Sequence, residues 1–223
     1  MKSFLLFIKR VFYKLGVDIS FVRKEDDRSA IEMNEVDAMN RLWSTKELSN
    51  RFLSKEVLKR FQETLNILKE HHIDLSGRSV MDVGCGNGML LKFLSENYPV
   101  SAQAGMEYAE AAIEVARELN PVPEYIVHDI NEPYGVQYDA VISTEVIEHI
   151  LHPARAVQNL LAMVKDKGIL LITVPNGRND TFAGHINFWS PESWDVFIEE
   201  NSGGLEFSTG KVESTLLYAV IYK

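Results

Sequence analysis

Hydrophobic and polar residues follow two different patterns along the chain, and the change between them falls near residues 74–77. From Ser54, a suitable N-cap, apolar residues recur at helical spacing, which predicts a helix that extends to about His71. The apolar positions of this helix are Val57, Leu58, Phe61, Leu65 and Leu68. After Ser76, short apolar runs alternate with helical segments, a pattern typical of a parallel sheet with helices on both faces.

The strands of this second part are predicted from apolar runs bounded by turn residues. The runs cover residues 80–83, 101–106, 125–127, 138–143 and 168–174, and the intervening residues 89–94 and 109–119 have helical character. Residues 205–212 and 216–222 form two more predicted strands, and their connection is too short for a helical crossover. The sequence therefore predicts an α/β fold with a mostly parallel sheet that ends in an antiparallel hairpin.

Two shorter patterns precede the long helix. Residues 44–47, Ser-Thr-Lys-Glu, have the form of a capping box and predict another short helix. Residues 1–15 place apolar side chains on one helical face and basic side chains on the other, apart from Leu6. Their apolar run is too short to span a bilayer. Such a helix either lies on an anionic membrane surface or packs against protein. Residues 1–75 as a whole are expected to form a helical extension to the domain at residues 76–223.

Composition narrows the class of protein. A chain of 223 residues, 46% of them apolar, can bury one core and add a small appendage. The net charge of −9 argues against a nucleic-acid partner, because phosphate binding needs a basic face. A single cysteine, Cys85, excludes an intramolecular disulfide and fits a reducing cytosol. Because no Cys/His cluster has metal-ligand spacing, no metal site is predicted.

Residues 80–88, Val-Met-Asp-Val-Gly-Cys-Gly-Asn-Gly, carry the strongest chemical signal. They predict a buried strand, a turn in which the backbone comes close to a ligand, and then a helix. Asp82 adds a carboxylate that can hold an ammonium or a hydroxyl. The G-x-G-x-G spacing differs from the dinucleotide fingerprint, with Met89 where that pattern has its third glycine, and no phosphate-binding loop is present.

The D-x-G-x-G-x-G sequence resembles motif I of the class I methyltransferases that use S-adenosylmethionine. The resemblance extends over about residues 76–200 and implies a Rossmann-like, doubly wound sheet of seven strands with a reversed final hairpin. It also implies that Glu107 binds the ribose hydroxyls, that Asp129 meets the adenine amino group and that Ile130 lies against the purine. Thr144 and Glu145 are expected at the methionine end. The full implied cofactor set is Asp82, Gly84, Cys85, Gly86, Asn87, Gly88, Glu107, Tyr108, Asp129, Ile130, Thr144 and Glu145.

Residues 144–149, Thr-Glu-Val-Ile-Glu-His, resemble the small-molecule branch of this family, which includes O-methyltransferases of quinone biosynthesis and of polysaccharide gene clusters. The branch implies methyl transfer to a small-molecule acceptor, a hydroxyl of a glycan, a lipid-linked sugar or a quinone-like ring, with S-adenosylhomocysteine as the product and no metal. The motif of DNA amino-methyltransferases is absent after the fourth strand. A non-catalytic sensor or scaffold subunit that binds the same cofactor is the alternative. The expected location is the cytoplasm, with peripheral membrane contact through residues 1–15 left open.

Two histidines are candidates for a general base. His149 follows the fourth strand at the edge where doubly wound sheets bind ligands, and His185 lies in a polar and aromatic segment after the fifth strand. A structural role for His149, satisfied by Glu145 or a backbone carbonyl, is the competing interpretation. Residues 177–200 are expected to shape the acceptor site. Their aromatic residues, predicted to wall a cavity, are Phe182, Phe188, Trp189 and Trp194.

Overall fold

The computed structural model describes residues 29–45, 54–213 and 215–223. The predicted helix at residues 1–15 lies outside these ranges, and so does the helix that the capping box at 44–47 would open. Ser44 itself is the C-cap of a preceding helix. Among the described residues, no helix has both the length and the apolar content needed to cross a membrane.

The helices and strands alternate as the sequence predicts. The helices are α1 (Ala30–Met33), α2 (Val36–Trp43), α3 (Lys55–Glu70), α4 (Met89–Asn97), α5 (Glu110–Leu119), α6 (Pro153–Ala162) and α7 (Pro191–Asn201). The strands are β1 (Ser79–Val83), β2 (Ala102–Glu107), β3 (Glu124–Val127), β4 (Tyr138–Thr144), β5 (Val164–Pro175), β6 (Glu206–Val212) and β7 (Leu216–Tyr222). Every predicted strand is present with ends shifted by a few residues. Helices α1, α2, α6 and α7 were not predicted.

The seven strands form one sheet in the order β3-β2-β1-β4-β5-β7-β6. Strands β1 to β5 pair in parallel, whereas β7 pairs antiparallel with both β5 and β6. The expectation of a mostly parallel, seven-stranded sheet that closes on an antiparallel hairpin is therefore confirmed. The order reverses between β1 and β4, and this switch point is where doubly wound sheets bind ligands at the carboxyl ends of their strands.

Side chains of the sheet alternate between two hydrophobic cores, one on each face. Met81 and Val141 pack with α6 and α7, while their neighbours Val80 and Ile142 pack with α3, α4 and α5. A strand buried on both faces has a nearly continuous apolar sequence, and residues 168–174 of β5 show this pattern. Helices therefore cover both faces, as the alternation of strands and helices predicts.

The described N-terminal helices pack beside the carboxyl end of β2. Trp43 of α2 is buried against Ala109 and Ala112 at the start of α5. Asn40 of α2 accepts a hydrogen bond from the backbone N–H of Ala111 at 3.0 Å. These contacts place residues 29–45 at the edge of the sheet that also carries the glycine-rich turn.

Candidate active site

The glycine-rich turn joins β1 to α4. Gly84, Gly86 and Gly88 all have positive φ, at 77°, 50° and 70°, a region that residues with a Cβ rarely adopt. A Cβ at Gly84 would collide with Val146, and one at Gly88 would collide with the hydroxyl of Tyr125. The sequence predicts that the backbone of this turn comes close to a ligand. In the structure, Gly84 and Gly88 also allow the side chains of Val146 and Tyr125 to pack directly against the backbone of the turn.

Asp82 and Glu107 lie near the carboxyl ends of the adjacent strands β1 and β2, on the same face of the sheet, because the register pairs Asp82 with Gly105, two residues before Glu107. One oxygen of Glu107 accepts hydrogen bonds from the backbone N–H groups of Tyr108 (3.0 Å) and Ala109 (3.1 Å). The other oxygen accepts the N–H of Gly86 at 3.4 Å. Glu107 is thus in contact with the glycine-rich turn, as the methyltransferase resemblance requires.

The Asp82 carboxylate has an unused hydrogen-bonding capacity. Asp82 is 2% exposed, and its Oδ1 accepts no hydrogen bond from the described residues. Burial, and then the nearby charge of Glu107, raise the pKa of Asp82 from 3.8 to about 7. Burial also raises the pKa of Glu107, although its backbone hydrogen bonds oppose the shift. A buried carboxylate oxygen without a partner is uncommon, and this one is able to accept a further hydrogen bond.

The remaining residues of the implied cofactor set lie around the carboxyl ends of β1 to β4. Cys85 and Asn87 are buried in the turn, and the hydroxyl of Tyr108 donates to the carbonyl of Asn34 at 3.1 Å. Asp129 is exposed and accepts the N–H of Asn131 at 2.9 Å. Ile130 is buried in the core on the α6 side, so its contact with a purine stays a prediction.

Thr144 and Glu145 end the fourth strand. Thr144 pairs with Thr173 of β5, and the N–H of Glu145 donates to the carbonyl of Thr173 at 3.0 Å. Glu145 has a positive φ of 57°, uncommon for a residue with a Cβ. One of its carboxylate oxygens lies 3.3 Å from the guanidinium of Arg60 on α3, and the other is buried without a hydrogen bond from the described residues.

His149 and His185, the two predicted bases, are brought together with a buried carboxylate. Their ring centroids are 4.6 Å apart. Each ring places its Nε2 3.8 Å from one oxygen of Glu148, whose side chain is 1% exposed. Neither oxygen of Glu148 accepts a hydrogen bond from the described residues. We call Glu148, His149 and His185 the Glu-His-His cluster; each contributes an atom able to ligate a metal, and these atoms lie within 4.8 Å of one another.

The outer nitrogen of each imidazole is held by a hydrogen-bond acceptor. The Nδ1 of His149 lies 3.1 Å from the carbonyl oxygen of Gly184, and the Nδ1 of His185 is hydrogen-bonded to the carboxylate of Asp180. A carbonyl oxygen cannot donate, so the Nδ1 of His149 carries the proton and its Nε2 has a free lone pair.

Burial dominates the electrostatics of this cluster. It raises the pKa of Glu148 well above its ordinary range, and the charge of Glu145 adds to the shift. Burial, together with the neighbouring His185, lowers the pKa of His149 to about 4. Burial alone would raise the pKa of Asp180, but its hydrogen bond to His185 brings the net value below 3.8. His149 is therefore a neutral imidazole at neutral pH.

The loop that carries His185 is fixed to the turn that carries Glu148. The backbone N–H groups of Ile186 and Asn187 both donate to the carbonyl of Glu148, at 2.8 and 2.9 Å. The side chain of Asn187 donates to the carbonyl of Ile150 at 2.7 Å. These hydrogen bonds hold the turn after β4 against the loop after β5, two segments that are far apart in sequence.

The four aromatic residues predicted to wall a cavity divide into two pairs with different surroundings. Phe182 and Phe188 do contact the ring of His185, with centroids 4.9 and 6.2 Å away. Trp189 and Trp194 do not line this site: they pack against each other in the core beneath α7, and Trp194 is 1% exposed. Their indoles serve the hydrophobic core because α7, which was not predicted, carries Trp194 onto the sheet.

Sequence reasoning missed three side chains of the site: Glu148, Asp180 and Arg60. Glu148 belongs to the motif at residues 144–149, and its position directly before His149 is the signal available in the sequence. Asp180 and Arg60 have no local signal, because they reach the cluster from the loop after β5 and from α3.

Comparisons with known proteins agree with this architecture. The model of a methyltransferase-domain family matches residues 48–201. The chain is 28% identical over 177 residues to a ubiquinone biosynthesis O-methyltransferase of Rickettsia bellii, covering 74% of each protein. It superposes on the DhpI–SAH complex with a TM-score of 0.67 at 14% identity, covering 88% of this chain and 98% of that one. For the N-methyltransferase NodS from Bradyrhizobium japonicum in complex with S-adenosyl-L-homocysteine, the TM-score is 0.62 at 15% identity, with 85% and 98% covered.

Proposed function

The chain belongs to the family of S-adenosylmethionine-dependent methyltransferases, and we propose that it methylates a hydroxyl group of a small molecule. The relative from Rickettsia bellii, named for O-methylation in ubiquinone biosynthesis, supports a hydroxyl on a quinone-like ring as the first acceptor to test. A glycan and a lipid-linked sugar are the other acceptor classes.

The donor site that we propose is the glycine-rich turn with Asp82 and Glu107. When bound, S-adenosylmethionine supplies a methyl group on a sulfonium, with a neutral thioether as the leaving group. The unpartnered oxygen of Asp82 is suited to accept a hydrogen bond from a donor ammonium or hydroxyl. Glu107 keeps a long, 3.4 Å bond to Gly86 that a ribose hydroxyl can replace. Thr144 and Glu145 border this edge from β4.

The observation that carries hydroxyl transfer is the concentration of proton acceptors beyond β4. Glu145, Glu148, His149, His185 and Asp180 lie within one partly buried group. A hydroxyl must lose its proton as it attacks, and a positioned base contributes about 10²–10⁴-fold to such a step. Orientation of the acceptor contributes more, about 7–11 kcal/mol. We assign the orientation to the loop of residues 177–189 and the activation of the hydroxyl to the group around Glu148.

An acceptor panel tests this proposal. Purified full-length protein is incubated with methyl-labelled S-adenosylmethionine and, separately, catechol-type phenols, sugars and primary amines. Release of S-adenosylhomocysteine is followed together with the mass of each product. We expect an O-methylated phenol, and no turnover in the Glu148→Ala variant. Methylation confined to amines contradicts the proposal, and cofactor binding without turnover on any acceptor favours a sensor or scaffold.

The predicted amphipathic helix at residues 1–15 gives a separate proposal, peripheral contact with an anionic membrane surface. Sedimentation with anionic liposomes is expected for the full chain and is expected to be lost on deletion of residues 1–16. Equal sedimentation of both proteins would refute the contact.

A further inference from the structure

We propose that Asn34 is a positioning residue that joins the two halves of the site. It links the strand end that carries Glu107, on the donor side, to the loop of residues 177–189, on the acceptor side. The sequence analysis assigned no role to Asn34. The inference rests on the proposed function, since it takes this loop to orient the acceptor, and it adds the residue that holds the loop in place.

The side chain of Asn34 uses both of its amide N–H groups. One donates to the carbonyl of Ala30 at 2.8 Å, and the other donates to the carbonyl of Gly184 at 2.6 Å. Both acceptors are carbonyl oxygens, so the orientation of the amide is fixed, because a rotated amide would place its own oxygen against them. Asn34 and Gly184 are 150 residues apart in sequence. The second bond therefore holds a distant loop against the N-terminal helices.

The carbonyl of Gly184 is also the hydrogen-bond acceptor for His149. The Nδ1 of His149 lies 3.1 Å from the same oxygen that Asn34 contacts. A carbonyl oxygen has two lone pairs, and two donors share this one. Gly184 is buried and directly precedes His185 in the chain. Asn34 therefore fixes the carbonyl that orients one histidine and the backbone next to the other.

The backbone of Asn34 is attached to the donor side. Its carbonyl accepts a hydrogen bond from the hydroxyl of Tyr108 at 3.1 Å. Tyr108 directly follows Glu107, and its backbone N–H donates to the Glu107 carboxylate at 3.0 Å. Burial, and then the charge of Glu107, raise the pKa of the Tyr108 hydroxyl, so this group remains a hydrogen-bond donor at physiological pH. A ligand that engages Glu107 is therefore one residue away from the side chain that contacts Asn34.

The contacts of Asn34 span the middle of the sheet. Tyr108 follows β2 and Gly184 follows β5, and strands β1 and β4 lie between those two strands. Neighbouring strands are about 4.8 Å apart, so the two strands that are linked through Asn34 are about 14 Å apart. The strands between them flank the switch point, where doubly wound sheets bind ligands. One residue therefore connects opposite sides of the proposed donor and acceptor sites.

A role confined to the end of α1 does not account for these contacts. Asn34 is the C-cap of α1, and its bond to Ala30 completes the last turn of that helix. Asn97 at the end of α4 makes the same local bond, at 2.8 Å to the carbonyl of Phe93, and joins no second segment of the described structure. The bond to Gly184 is additional to this local bond, which makes Asn97 the matched comparison for Asn34.

Hydrogen exchange tests the link without an acceptor. Full-length wild type, Asn34→Ala and Asn97→Ala are compared with and without saturating S-adenosylhomocysteine, and exchange is followed by mass spectrometry in peptides that cover residues 180–190. In wild type and in Asn97→Ala we expect the ligand to slow the exchange of this loop by at least about fivefold, as energetic coupling between two sites implies. In Asn34→Ala the ligand should still bind but should slow the exchange by less than about twofold. Tyr108→Phe, which removes the other end of the link and keeps the ring, should behave as Asn34→Ala does.

Steady-state kinetics with S-adenosylmethionine and catechol give a second measurement. Asn34→Ala should lower kcat/KM for catechol by about 10–100-fold through a higher KM, because a displaced loop orients the acceptor poorly. The KM for S-adenosylmethionine should stay at the wild-type value. A purely structural role would lower the amount of folded enzyme, and with it kcat, but would change neither KM.

The outcomes separate this inference from the proposed function. Equal affinity of wild type and Asn34→Ala for S-adenosylhomocysteine, with protection of the loop lost only in the variant, supports the positioning role. Loop protection that persists in Asn34→Ala, or an unchanged KM for catechol in that variant, would overturn the role of Asn34 and leave the donor site in place. Failure of wild type to bind S-adenosylhomocysteine would remove the proposed donor site, and the link with it.

Discussion

Glu107 accepts a hydrogen bond from the backbone N–H of Gly86 at 3.4 Å, which joins the end of β2 to the turn that follows β1. The same carboxylate also accepts two N–H groups at the start of the segment leading into α5. This side chain therefore links the two backbone segments that surround the proposed donor site, the turn after β1 and the connection from β2 to α5. Because its bond to Gly86 is the longest of the three, that oxygen is the one available to a ligand.

The Asp82→Asn variant should bind S-adenosylhomocysteine more weakly than wild type, and its affinity should lose a pH dependence. The pKa of Asp82 is about 7, and the carboxylate must be ionised to pair with a ligand ammonium. Wild-type affinity is therefore expected to rise about tenfold between about pH 6 and about pH 8. Calorimetric titration at several pH values measures this. A flat profile in wild type would contradict the role of Asp82.

The stability of the ligand-free protein should also depend on Asp82. Its pKa is raised from 3.8 to about 7 in the folded state, so its contribution is full below about pH 4 and is lost as the pH rises through 7. Relative to Asp82→Asn, wild type is expected to lose about 2–3 kcal/mol between about pH 5 and about pH 8. Urea unfolding of both proteins at each pH gives the difference. An unchanged difference would show that Asp82 titrates normally.

Gly88→Ala should destabilise the fold. The residue has φ of 70°, and an added Cβ would collide with the hydroxyl of Tyr125, itself bonded to the carbonyl of Asn120 at 2.9 Å. We expect a loss of at least about 2 kcal/mol in the free energy of unfolding. Gly135→Ala is the control, because a Cβ there meets no atom within 4 Å in the described structure. Equal stability of the two variants would contradict the packing described for the turn.

Asn40→Ala tests whether α2 supports the donor site. It removes the hydrogen bond from the N–H of Ala111 and should cost about 1 kcal/mol of stability. Because Trp43 on the same helix lies against Gly86, we also expect weaker S-adenosylhomocysteine binding. Asn97→Ala, which removes an exposed bond to the carbonyl of Phe93 on α4, is the control. Equal affinity of the two variants for S-adenosylhomocysteine would show that α2 does not support the donor site.

The sheet could be predicted because its information is local. The apolar run at β1 and the short link between β6 and β7 each specify an element without reference to the rest of the chain. The position of Glu107 near the glycine-rich turn was implied by the resemblance to the methyltransferase family, and parallel strands, whose carboxyl ends meet at one edge of the sheet, account for it physically.

The contacts of Glu148 could not be predicted from local sequence patterns. The environment of Glu148 depends on a loop that returns from beyond β5 and attaches through Asn187. Trp194 shows the same limit, because an aromatic residue in a polar segment cannot be assigned to a core or a cavity until the helix that carries it is known. The surroundings of Glu148 and the burial of Trp194 both depend on how distant segments pack together, which the type of residue alone does not specify.

Titration of S-adenosylhomocysteine into the full-length protein tests the central claim most directly, with Glu107→Ala as the variant and Glu110→Ala as the matched control. Glu110 lies in the first turn of α5 and is exposed. We predict one binding site in wild type and in the control, and an affinity lower by about 10–100-fold in Glu107→Ala, as the loss of hydrogen bonds to a charged group implies. No binding to wild type, or equal affinity in all three proteins, would contradict the assignment of the donor site.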